Sequence, residues 1–425
     1  MTQILPLATR RSRWLFDWSA ASCLAASEQS LNAITGQAAT FTRASTKAAL
    51  DANGVVRTIA HSLPAFQWST DPVTGLMRPG VLMEDTRTSL TTFPEDFTNA
   101  AWTKAGYTVV ANSVAGPNYA VTADTVVETA TNAEHFVEQS TTGVADNTTL
   151  AWSVYVKAGR SEVKLSFVKK DNVTVIGAVF NLATGAVTST DGGITTRIRA
   201  GVNGWYRITV IGSVGAGATQ PRGRLQTLLA GAAVYLGDVG FGLYVVGGQI
   251  EVGAFESSYN AAAAVRNADV LSFAFNALPQ ALTLYIRGIN RGSAQLNGGV
   301  DNPYYLLIGT APNYLILYEG VGVPKVSFVN GTTVTATSAG ANPAMGDTVE
   351  LLATVSAAGV VDIGQSLNGA TATGSTGAST GLAFPSAWSG LTINLGSGDV
   401  GKAFFEFQSA KVAAGVQTLA TMRQG

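Results

Sequence analysis

The sequence predicts an all-β protein, in which two antiparallel β-sandwich, jelly-roll-like domains follow an irregular N-terminal segment. Three observations carry that expectation. Charged residues are only 12% of the chain, while glycine reaches 47 positions, and small or β-branched side chains suit strands and tight turns rather than exposed helices. Apolar and polar residues alternate at period two through much of the chain. Turn signals rich in Gly, Asn and Asp separate these runs, and no clear amphipathic helix interrupts them. A hydrophobic share of 46% is too high for disorder. At roughly 100–200 residues per domain, 425 residues make two or three domains.

Residues 1–90 read as the irregular segment. The basic cluster Arg10, Arg11 and Arg13 adjoins an aromatic knot, Trp14-Leu-Phe-Asp-Trp18, of a kind that docks on a surface. Phe41-Thr-Arg-Ala-Ser45 leads to the turn Asp51-Ala-Asn-Gly54 and then to Val55-Val-Arg57, a strand, a tight turn and a second strand. Asp71-Pro-Val-Thr-Gly75 is another turn. The run from Val81 to Leu90 starts as an apolar strand and becomes polar.

Residues 91–262 alternate well. Leu150, Trp152, Val154 and Val156 share one strand face, and Ala151, Ser153, Tyr155 and Lys157 share the other. Val163, Leu165 and Phe167 repeat the pattern, as do Tyr206, Ile208 and Val210 opposite Trp205, Arg207 and Thr209. Tyr244, Val246, Ile250 and Val252 continue it around two glycines. Trp102, Trp152 and Trp205 are expected in the core. Residues 263–425 form a second set of strands, at Leu282–Ile286, Tyr304–Ile308, Tyr314–Tyr318, Val326–Phe328, Val349–Leu351, Leu391–Leu395 and Phe404–Phe407. Residues 261–267 read as a linker and Asn368–Gly377 as a small-residue connection.

A formal net charge of −1 excludes a global field toward nucleic acid or anionic lipid. The single cysteine, Cys23, excludes an internal disulfide and reads as a small buried apolar residue. The stretch after Arg13 meets Asp17 without the apolar core of a secretory signal. No run reaches the roughly 20 apolar residues of a membrane helix. Catalysis finds little support. Glu84/Asp85 and Glu95/Asp96 are sequence neighbours, which point to opposite faces of a strand. Glu134 and Glu138 share a spacing that suits one face, and the simpler expectation for them is a solvated edge. His61 and His135 are the only histidines, and no Gly-Lys-Ser/Thr phosphate loop appears.

Seven phrases occur in the order Phe41-Thr-Arg-Ala-Ser45, Asp71-Pro-Val-Thr-Gly75, Glu84-Asp-Thr-Arg-Thr88, Glu95-Asp-Phe-Thr-Asn-Ala-Ala-Trp-Thr-Lys104, Trp152-Ser-Val-Tyr-Val-Lys157, Gly204-Trp-Tyr-Arg207, and Gln249-Ile-Glu-Val-Gly253 with Ser258-Tyr259. The series resembles bacteriophage tail and virion appendage proteins. These combine a carbohydrate-binding-module-like jelly roll with a laminin-G/concanavalin-like sandwich. The resemblance spans roughly residues 40–270, and beyond 270 it rests on strand pattern alone. It implies a jelly roll at 91–262, a laminin-G-like sandwich at 263–425 and an attachment role for residues 1–90. Arg11, Arg13, Trp14, Phe16 and Trp18 would then meet other virion proteins. It further implies a virion location after synthesis in the host cytoplasm, binding of host surface glycans and a homo-oligomer, a trimer by analogy. No cofactor is expected beyond the structural calcium ion such jelly rolls often carry, and no nucleic acid or membrane insertion. Because sugars stack on aromatic rings, Tyr155, on a polar sheet face, and Tyr304, Tyr305 and Tyr318 are the glycan-binding candidates. The leading expectation is a non-enzymatic structural component: tail-fibre-like, baseplate or capsid-decorating. The alternatives are a free glycan-binding module and, after it, a polysaccharide depolymerase.

Overall fold

The computed structural model describes residues 13–17, 39–71, 74–261, 265–275, 281–292, 304–310, 313–320, 323–330, 332–370, 373–377, 391–395 and 404–414. Over these residues the protein is all-β, with antiparallel pairing throughout the named sheets and a single 3₁₀ turn at Val202–Gly204. No helix among them is long and apolar enough to cross a membrane.

Two compact units form, and the chain passes between them four times. One unit takes Met1–Ala44, Ile59–Asp85 and Asn267–Gly425; the other takes Ser45–Thr58 and Thr86–Arg266. Residues 39–44 and 59–83 supply strands to the unit containing Asn267–Gly425, and residues 45–58 belong to the other unit. The last passage between the units follows Arg266.

In the jelly-roll-like unit, two six-stranded sheets face each other. The first runs Thr195–Ala200, Trp205–Ser213, Thr149–Ala158, Gly242–Val252, Val121–Glu128, Tyr107–Ala115. The second runs Ala186–Thr190, Val175–Asn181, Glu162–Val168, Arg222–Leu228, Phe136–Ser140, Thr103–Ala105. The alternation places the core as expected. Trp152, Val154, Val156, Leu165, Phe167, Ile208 and Val210 are fully buried between the sheets, each contributing about 1.5–3 kcal/mol by burial. Trp102 and Trp152 pack together there, at 6.1 Å between ring centroids.

The expected continuation through Tyr244–Val252 holds only in part. The register shifts where Ser153 and Tyr155 face this strand, and Gly247 adopts φ +71°. An extra residue at that bulge turns the strand over, so Val246 lies on the outer face while Val245 and Ile250 enter the core. A side chain at Gly247 would also press on Tyr155 and Tyr259, with a Cβ 3.0 and 3.2 Å from their rings.

The other unit pairs a sheet of eight strands with one of seven, counted over the described residues. Phe41, Phe66, Val81 and Met83 from the N-terminal stretch enter its core beside Leu284, Ile286, Leu351, Phe405 and Phe407. Thr373–Gly377, within the stretch expected as a flexible or long hairpin connection, pairs antiparallel with Val361–Gln365 as an edge strand. The phrases of the resembling series become buried latches here. Arg43 is closed off from solvent, donating to Asp269 Oδ1 at 2.9 Å and to the Ala60 carbonyl at 2.6 Å. Asp71, also fully buried, meets Arg287 at 2.5 Å and Arg78 at 3.2 Å.

Candidate functional site

Tyr155 leads to the site. It shares its face with Ser153, opposite Trp152, as the alternation requires, but that face is covered rather than open: Tyr155 is 8% exposed and Ser153 fully buried. Two pieces of chain form the cover. The first is the hairpin of Lys47–Leu50 and Val56–Ile59. Its turn closes on Asp51, whose Oδ1 accepts from the amides of Asn53 at 2.9 Å and Val55 at 3.0 Å, while Arg57 donates to Oδ2 at 2.8 Å. The second is the strap of residues 253–261. Glu251 accepts from the Ser257 amide at 2.9 Å and the Ser257 hydroxyl at 2.5 Å, and Gln249 accepts from the Asn260 amide at 3.0 Å. The buried Glu256 carboxylate adds ion pairs to Arg197 at 2.9 Å and Arg199 at 2.6 Å. The Ala48 amide donates to the Tyr259 carbonyl at 2.9 Å, tying hairpin to strap.

Under this cover Tyr155, Tyr259 and Trp205 pack with Ala48, Val56, Ala123 and Val246. The two tyrosine rings meet edge to face at 5.9 Å and 80°. Arg207 lies 5.5 Å from the Tyr155 ring and donates to Ser153 Oγ at 2.9 Å. Beside the rings is a small, partly open pocket, lined among others by Lys47, Glu95, Asn118, Thr122, Tyr155 and Tyr259. The Tyr259 hydroxyl donates to Glu95 Oε1 at 3.0 Å. Burial pushes the Glu95 carboxyl above its ordinary value; the Tyr259 hydrogen bond opposes this and the Asp124 charge adds to it. Burial likewise raises the Tyr259 hydroxyl, and Glu95 raises it further. Lys47, Glu95, Asn118, Thr122, Tyr155 and Tyr259 thus surround one small space. Side chains of these types can exchange hydrogen bonds with a small hydroxylated group at the pocket mouth. No histidine lines the pocket, so it has no His-based nucleophile pair.

Of the other sequence candidates, Tyr305 is 1% exposed and packs edge to face on Phe405 at 5.1 Å. It is a core residue and offers no ring to a ligand. Tyr318 is half-buried and accepts a hydrogen bond from Ser327 at 3.2 Å. Tyr304 stands on the strand Tyr304–Thr310, paired to Tyr318, with its side chain outside the described residues. The backbone of Arg13, Trp14 and Phe16 forms the strand Arg13–Asp17, paired with Ser409–Ala413. Arg11, Trp18 and Cys23 lie outside the described residues.

Glu134 and Glu138 occupy separate strands and converge on Arg224, at 3.4 and 2.8 Å, with Arg222 adding a 2.9 Å contact to Glu138. Glu138 is buried rather than solvated. Among the described residues no three His, Cys, Asp or Glu side chains gather to hold a metal ion.

Sequence reading passed over Lys47 and dismissed Glu95. Tyr259 belongs to the Ser258-Tyr259 phrase, whose spacing points to no role. Lys47 carries no local signal, since its importance comes from the hairpin's placement. A second cluster was also missed. Glu128 binds Arg160 through both carboxylate oxygens, at 2.8 and 2.9 Å, and accepts from Tyr235 at 2.7 Å. Tyr235 in turn stacks on His135 at 4.6 Å.

No protein-family model matches the chain, and no curated protein does. Among solved structures it is similar to the LG1-3 region of the laminin alpha2 chain, with 11% identity and a TM-score of 0.25. That match covers 65% of this chain and 63% of the laminin chain, under two thirds of its length. It is also similar to domains LG4-5 of the mouse laminin alpha1 chain, with 12% identity, a TM-score of 0.21, and coverage of 68% and 90%. The sandwich assignment rests on the strand order and register given above.

Proposed function

We propose that the protein is a non-enzymatic structural component of a bacteriophage virion, a tail-fibre-like, baseplate or capsid-decorating appendage that binds a host surface glycan in the Tyr155–Tyr259 pocket. The observation that carries the binding reading is the pocket's lining: Tyr155 and Tyr259 beside Glu95, Lys47, Asn118 and Thr122, with the Tyr259 hydroxyl donating to Glu95. The ordered phrases and the low charge support the virion reading. Its partners are other virion proteins and further copies of the chain, a trimer by analogy, with no nucleic acid and no membrane insertion. Glu134 and Glu138 disfavour a depolymerase, since both are tied to arginine.

Two measurements separate the halves of this reading. On a glycan array the protein should bind a defined saccharide set, and Glu95→Gln should weaken that binding tenfold or more, about 1.4 kcal/mol. Mass spectrometry of purified particles should find the chain. Binding without particles leaves the free glycan-binding module. Particles without any glycan bound leave a purely architectural subunit.

A further inference from the structure

The phrase Glu95-Asp-Phe-Thr-Asn-Ala-Ala-Trp-Thr-Lys104 plays no part in the pocket beyond Glu95, yet it builds something of its own. Asp96 Oδ1 accepts from the Thr98 amide at 3.0 Å, and Asn99 Oδ1 accepts from the Ala101 amide at 3.0 Å. The Trp102 amide donates to the Asn99 carbonyl at 3.1 Å. Phe97 and Trp102, both in the core, stack at 4.4 Å and pin the turn from below, and the Phe97 amide donates to Asp124 at 2.8 Å. The winding turns four main-chain carbonyls onto one point. Phe97, Thr98, Asn99 and Trp102 meet Lys104 Nζ at 3.2, 3.1, 3.0 and 2.8 Å.

Four oxygens are fewer than the roughly six to eight that calcium takes, and these distances belong to N–H···O bonds. Calcium would draw its ligands to roughly 2.3–2.6 Å. An ammonium carries three protons, so four acceptors saturate it. We propose that Lys104 is the resident cation of this turn: its ammonium closes a carbonyl cage that would otherwise call for a bound ion, and this turn folds without calcium. The calcium implied by the resemblance does not fit here, because a second positive charge would enter a cage already filled by the first. Burial pulls the Lys104 pKa below its ordinary value, and Asp96 pushes it back up.

The test is thermal unfolding of the full chain in calcium, in chelator and in neither. The wild-type midpoint should stay within about 1 °C across the three. Lys104→Met, which keeps much of the apolar stem and loses the charge, should lower the midpoint by at least about 2 °C. Lys104→Ala should fall further and recover part of the loss in methylammonium chloride but not in choline chloride, whose cation is too large for the cage. A wild-type midpoint raised by calcium, a Lys104→Met protein as stable as wild type, or a Lys104→Ala loss untouched by methylammonium would each overturn the proposal. If Lys104→Ala does not fold, the first two readouts decide.

Discussion

Trp152 and Tyr155 stand an odd number of positions apart on one strand, and that parity alone assigned them to opposite faces. Parity could not show that both faces are covered. Tyr155's cover comes from residues 45–58 and 253–261, and period-two patterning carries no information about what arrives from so far along the chain. Trp152→Ala should cost about 3–5 kcal/mol, read as a lower urea midpoint. Glu128 sets an acid limit. Burial works to raise its carboxyl, but Arg160, Tyr235 and the Asp238 amide outweigh that and hold it down to about 2, against 4.5 ordinarily. Its stabilisation is therefore present above pH 4.5 and is lost as pH falls toward 2. Over that interval the wild-type urea midpoint should fall more steeply than that of Glu128→Gln. Glu95 has the opposite sign. With its carboxyl raised in the folded state, its contribution is present at low pH and lost as pH rises through the folded value. Glu95→Gln should therefore be no less stable than wild type at neutral pH, which keeps its glycan-binding result interpretable.

At the scale of single elements, strands were the legible part and bulges were not. Alternation located the strand Gly242–Val252 but put Val246 and Ile250 on one face, because a bulge adds a residue without leaving a period-two trace. The two glycines inside the strand marked the place. Gly247→Ala should cost about 1–3 kcal/mol, since an L side chain is strained at φ +71° and would also press on Tyr155. The strap 253–261 depends on Glu256, whose side chain is 1% exposed against 18% for Arg197 and 35% for Arg199. Glu256→Ala should cost about 2 kcal/mol, less than a fully enclosed pair because water screens the arginines. The loss should appear first as faster hydrogen exchange at the Ser257 and Asn260 amides, both held by this strand's acceptors.

For the whole molecule, the sequence indicated the all-β class and two sandwiches, but not where the N-terminal strands pair. Phe41 and Val81 look local in sequence, yet their strands pair with Val270–Phe275 and Phe404–Ala414, and no short-range pattern encodes such partners. Residues 263–425 expressed alone lack Phe41, Phe66, Val81 and Met83 from their core. That fragment should show no cooperative unfolding transition, whereas the full chain should. Residues 91–262 alone lack Ala48 and Val56 over Trp205, so the Trp205 emission should shift to the red. The interleaved path also bears on durability. A protease that nicks the backbone after Ala44, Thr58, Asp85 or Arg266 severs one tether and leaves three others intact. The nicked protein should elute from a sizing column at the position of the uncut chain and separate into two bands only in detergent.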